Sequence, residues 1–131
     1  MTVQITRENF TAAMRAAVAE RGEDWAYPKR GSELAEQGWR AEEGQACVYV
    51  LPDGSPACLI GLALYKIDPA LVEGLEGEDV AALRLFQSLG VEDVGLYGAA
   101  QDAQDAQDLG ATWGNALKTY ERAMNARGET Q

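Results

Sequence analysis

The sequence predicts a predominantly helical α+β fold, with four or five helices, a small two-stranded antiparallel sheet and one compact domain over residues 1–131. Three observations carry that expectation. Apolar residues recur at helical spacing in separate stretches of the chain. Residues 45–51 instead alternate polar and apolar around Val48 and Val50, as a half-buried strand does. Glycine and proline fall between these stretches, and no shift of composition marks a linker.

The first helix starts after Thr6, an N-cap residue, with Ile5 and Phe10 placed to form a hydrophobic staple. Phe10, Ala13, Met14, Ala17 and Val18 keep the i, i+3, i+4, i+7, i+8 rule, and Gly22 supplies the stop. Trp25 to Tyr27 reads as a short edge strand ended by Pro28, the natural partner of residues 46–51. Pro52-Asp53-Gly54 is a turn. Ser55-Pro56 then gives an N-cap followed by proline at the first helical position, so a helix is expected over 56–67. That helix is apolar nearly all round and should be the central buried element.

A short helical turn is expected over 70–75 and an amphipathic helix over 79–89, through Val80, Leu83, Phe86 and Leu89. Another helix begins between Asp93 and Ala99 and runs to about Asp108. Gly110 and Thr112 mark a stop and a fresh N-cap before a last helix, whose Trp113, Leu117, Tyr120 and Met124 face inward.

Charge is the most informative bulk property. The formal net charge is −10, with no histidine anywhere. Residues 68–108 hold ten acids (Asp68, Glu73, Glu76, Glu78, Asp79, Glu92, Asp93, Asp102, Asp105 and Asp108) against Arg84 alone. Phosphate contacts require basic surface, so direct nucleic-acid binding is disfavoured. Without imidazole, most proton-shuttling catalysis loses its usual carrier. The N-terminus lacks a basic segment followed by an apolar stretch, and no apolar run approaches the ~18 residues of a membrane span. A cytoplasmic location without membrane contact is therefore expected, with Cys47 and Cys58 as thiols.

Two segments could carry function. With Ser55 as N-cap, Cys58 would sit three residues into the helix, where unpaired backbone N–H groups stabilise a thiolate. Lys66 or Asp53 would then have to move the proton. The plainer reading of Cys58 is a small buried apolar residue among leucines. Two thiols without imidazole fall short of a zinc site, and no cofactor or metal is expected.

The second segment is the run from Ala100 to Asp108, three copies of Ala-Gln-Asp. On a helix, a three-residue period turns each stripe by about 60° per repeat. Ala99, Ala103 and Ala106 can then approach a neighbouring helix while the aspartates wind along an exposed ridge. Late in a helix, aspartates oppose its dipole, so the ridge does not serve helix stability. A solvated helix face is the plainer account of such a run. Trp25, Tyr27, Trp39, Tyr49 and Trp113 could line a pocket, although aromatics at these spacings more often pack a core.

At Tyr27-Pro28, Cys47-Val48-Tyr49, the stretch from Gly54 to Gly61, and the tail from Ala100 through Gly110 to Trp113 and Ala116, the chain resembles a group of small uncharacterised proteins of actinobacteria and their bacteriophages. The resemblance spans roughly residues 25–117. Relatives in that group often carry histidine where this chain has Leu62. The resemblance implies a phage or prophage context and brings no activity with it.

The functional expectation is a small acidic, non-enzymatic interaction protein. Its partner would be a host or phage protein with a basic surface, met through Glu92, Asp93, Asp102, Asp105 and Asp108, in the sharpest version as a nucleic-acid mimic. The alternative is a cysteine-dependent enzyme or redox-responsive protein built on Cys58. A phage assembly accessory, acidic only for solubility, is the third reading. The apolar helix over 56–67 needs cover from several neighbours, which leaves room for homo-oligomerisation.

Overall fold

A computed structural model of the chain describes residues 4–26, 49–50, 56–73, 75 and 82–128, the side chains of 82, 83, 108 and 126–128 excepted. Five α-helices lie among them: α1 (Arg7–Arg21), α2 (Leu59–Ile67), α3 (Ala82–Ser88), α4 (Val94–Asp108) and α5 (Trp113–Gly128). A 3₁₀ turn (Pro69–Val72) follows α2. α1 packs along α2 and α4 along α5, with α3 laid against α4.

α1 begins as its sequence dictates. Thr6 accepts from the Asn9 backbone N–H at 3.1 Å, and the Asn9 side chain accepts from the Thr6 N–H at 2.8 Å, a reciprocal capping box. Ile5 and Phe10 are both buried, and so is the whole expected apolar stripe from Phe10 to Val18. Gly22 closes the helix at φ +104°, a backbone region open to glycine.

α2 starts later than proline chemistry suggests. Pro56 pairs with Val50 in an isolated bridge, and the Ala57 N–H donates to the Tyr49 carbonyl at 2.8 Å. Residues 56–57 are thereby held against 49–50, and Cys58 becomes the N-cap, with φ −84° and ψ 171°. Cys58 is therefore not three residues into the helix, and tertiary pairing has overridden a local start signal. From Leu59 to Leu64 every residue of α2 is buried, as the apolar pattern requires. Gly61 permits this approach, because a Cβ there would lie 2.2 Å from the Tyr49 carbonyl oxygen.

The expected sheet is missing from the described residues, which hold two isolated bridges and no strand. Ala26 pairs with Thr112. The reason lies at the start of α5, whose first N–H groups have no partner within their own helix. The Trp113 N–H donates to the Trp25 carbonyl at 2.7 Å and the Gly114 N–H to the Glu23 carbonyl at 2.9 Å. The backbone expected to edge a sheet thus caps a helix instead. Tyr27 and residues 46–48 lie outside the described residues, as does the first part of the helix expected over 79–89.

The core is sealed by aromatic edges. Phe10 of α1 meets Phe86 of α3 at 5.1 Å between ring centroids and Tyr120 of α5 at 5.7 Å, both edge-to-face. Such pairs are worth about 0.5–1.5 kcal/mol beyond the area they bury. No helix among the described residues is long and apolar enough to cross a membrane.

Candidate functional site

α4 carries the Ala-Gln-Asp repeat, and its buried side includes glutamines that the repeat did not single out. Its Ala-Gln-Asp repeat drifts by about 60° per copy, and burial follows the drift. Ala100 and Ala103 are buried and Ala106 is half-buried. The same rotation carries the glutamines into the protein: Gln101 is half-buried, while Gln104 and Gln107 are fully buried. The aspartates cross the outer edge, Asp105 exposed and Asp102 half-buried. Asp105 accepts from the Gln101 side-chain amide at 2.7 Å.

The remaining acids of this region divide. Glu92 is exposed. Asp93 is occupied twice over, as N-cap of α4 accepting from the Leu96 N–H at 3.1 Å and as a two-pronged partner of Arg7. The Arg7 guanidinium donates from Nε to one Asp93 oxygen and from Nη2 to the other, the latter at 2.8 Å. That contact holds the Asp93 carboxyl below its ordinary range and raises the Arg7 guanidinium further, in both cases against the opposing effect of desolvation. Asp108 ends α4, with its side chain outside the described residues.

Cys58 is a buried residue with no exposed surface. Its Sγ accepts from the Gly61 N–H at 3.3 Å, in the place a serine or aspartate oxygen takes at other N-caps. Lys66, one candidate partner, pairs with Glu20 at 2.7 Å, and Asp53 lies outside the described residues. The cysteine reads here as part of the fold's wiring.

Around Cys58 the polar wiring is dense. Gln107 Oε1 accepts from the Leu59 N–H and from the Trp113 indole N–H, each at 2.9 Å. One side-chain oxygen thus ties the start of α2 and the start of α5 to the end of α4. Two donors meeting one atom fix which end of the amide is oxygen. Gln107 Nε2 is buried without a hydrogen-bond partner. Gln104 Nε2 donates to the Tyr49 hydroxyl at 2.8 Å. Arg21, from the end of α1, donates to the Pro56 carbonyl at 2.7 Å and to that of Ala57. Its guanidinium lies 4.9 Å from the Trp25 ring centroid and 4.8 Å from that of Trp113, a cation–π contact with both. Trp25 and Trp113 thus flank an arginine of the fold; Tyr27 and Trp39 lie outside the described residues.

A groove of about 540 Å³ lies between α1 and α5. Arg7, Thr11 and Arg15 stand one turn apart along one wall, and Tyr120, Glu121 and Met124 supply the other. Thr11 Oγ1 and Tyr120 Oη share a 2.7 Å hydrogen bond, and Arg15 pairs with Glu121 at 2.6 Å. Burial pushes the Tyr120 phenol up to about 12. The i, i+4, i+8 spacing of Arg7, Thr11 and Arg15 was the available sequence signal for this wall. No group of three or more acidic or thiol side chains among the described residues could hold a metal ion.

Comparison of the chain with protein-family models, with curated proteins and with solved structures finds no match.

Proposed function

We propose that this chain is a small non-enzymatic interaction protein, phage- or prophage-encoded, that uses the outer edge of α4 to engage a basic surface of a host or phage protein. What supports the reading is the one-sided placement of charge along that helix. Glu92 and Asp105 are exposed, and residues 85–117 contain no lysine or arginine. Carboxylates held by a packed helix present a fixed pattern of charge, which speeds encounter with a basic partner and selects against acidic ones. A regular row of carboxylates can also stand in for backbone phosphates, which makes a nucleic-acid-binding protein the sharpest candidate partner. The thiol reading draws no support from the geometry, since a nucleophile must be reachable and Cys58 is not.

Affinity capture from actinobacterial lysate tests the proposal. A basic protein retained at low salt and released steeply as salt rises is the expected result. Capture that ignores salt would contradict it. Thiol labelling of the native protein separates the alternative: Cys58 should react only after unfolding.

A further inference from the structure

The groove between α1 and α5 is lined by arginines although the chain as a whole is strongly acidic. Its hydrogen-bonding balance is the informative part. Arg7 gives Nε and Nη2 to Asp93, which leaves both N–H groups of Nη1 uncommitted. Arg15 directs Nε and Nη2 at one oxygen of Glu121, again leaving Nη1 uncommitted. Thr11 and Tyr120 have two hydroxyl hydrogens between them and share one hydrogen bond, so one hydrogen remains for an outside acceptor. Tyr120 is fully buried and Thr11 only partly so, which places that spare hydrogen on the groove side. Donors thus outnumber acceptors in a cleft of the size that holds small ligands, with the Met124 side chain as an apolar wall.

We infer that this groove binds a small organic oxyanion, a carboxylate or a phosphate monoester on an apolar body. Arg15 Nη1 and the Thr11–Tyr120 hydroxyl pair meet its oxygens, Arg7 adds charge on the far side, and Met124 packs the body. Guanidinium groups already holding a carboxylate along one edge keep a second edge for another planar or tetrahedral oxyanion. Two effects oppose an anion here, the Glu121 carboxylate in the wall and the net charge of −10. They confine recognition to short-range donor contacts and exclude long-range attraction as its basis. The site is separate from the acidic edge of α4, so either can fail without the other.

The test is a backbone amide NMR titration of the full chain with 3-phenylpropionate, phenyl phosphate and, as cationic control, phenethylamine. At least one anion should saturate below about 10 mM, with shifts centred on Thr11, Arg15, Tyr120 and Met124, and the tighter anion names the oxyanion class. Arg15→Gln, a change at an exposed helix position, should weaken it about tenfold, the loss expected for one charge-assisted contact. Equal binding of phenethylamine, shifts centred elsewhere, no saturation of either anion, or an unchanged affinity in Arg15→Gln would each overturn the inference.

Discussion

The inward and outward edges of α4 are written with one three-residue unit and do opposite work. Inside, Gln104 and Gln107 are buried and fasten the helix to Tyr49, to the start of α2 and to Trp113. Outside, Asp105 is exposed and accepts from Gln101 within the same helix, a contact worth a few tenths of a kcal/mol. The mismatch between a period of three and a helix of 3.6 residues per turn makes the difference, because it turns successive copies of one residue type from solvent into the core. The phase of the repeat therefore decides which residues hold the fold and which stand at the outer edge.

The comparison breaks first at Gln107. Replacing it with alanine leaves the Leu59 N–H and the Trp113 indole N–H buried without an acceptor, at about 1–3 kcal/mol each. Gln107→Ala should lower the unfolding free energy by about 2–5 kcal/mol in urea denaturation, whereas Asp105→Ala, at an exposed position, should change it by less than about 0.5 kcal/mol. Equal effects would mean that the two edges do not differ.

Tyr120 sharpens the contrast from the groove side. Its folded value of about 12 lies above the ordinary 10, so the folded state favours the protonated phenol. That stability is complete below pH 10 and is lost as pH rises toward 12, by about 2–3 kcal/mol at 1.36 kcal/mol per pKa unit. Tyr120→Phe should flatten this alkaline loss, read as unfolding midpoints between pH 9 and about 12.

Among the aspartates the expected effects shrink further. Asp93 is an N-cap and an ion-pair partner, so Asp93→Ala should destabilise by about 1–2 kcal/mol at neutral pH. Its depressed carboxyl contributes stability above the ordinary value near 3.8, and this fades as pH falls through the lower folded value. Wild type and variant should therefore converge in strong acid. Asp105→Asn should lie within about 0.5 kcal/mol of wild type, on the stabilising side, because it removes a negative charge near a helix C-terminus.

Much of this architecture was legible in the sequence, for reasons that differ by element. α1 and α5 announce themselves through a capping residue followed by an unbroken apolar stripe, and neither needs tertiary information. The alanine and aspartate stripes of α4 follow from the repeat alone. The start of α2 did not follow, because the Ser55-Pro56 signal is local while Val50 and Tyr49 act on residues 56 and 57 from elsewhere in the chain. The sheet was misread for a related reason. Trp25 and Ala26 have strand character, yet the helix N-terminus at Trp113 offers them unsatisfied donors. Gln104 and Gln107 went unrecognised because a polar residue in a polar repeat carries no mark of burial; only the phase of the helix against its neighbours supplies one.

The most direct test is a paired measurement on the double variant Glu92→Gln, Asp105→Asn. Urea denaturation should keep its unfolding free energy within about 1 kcal/mol of wild type, since these charges sit on the outer edge, while salt-sensitive capture of the basic partner disappears. Capture that persists undiminished in the folded variant, or a loss of several kcal/mol in stability, would contradict the separation of a holding edge from a docking edge.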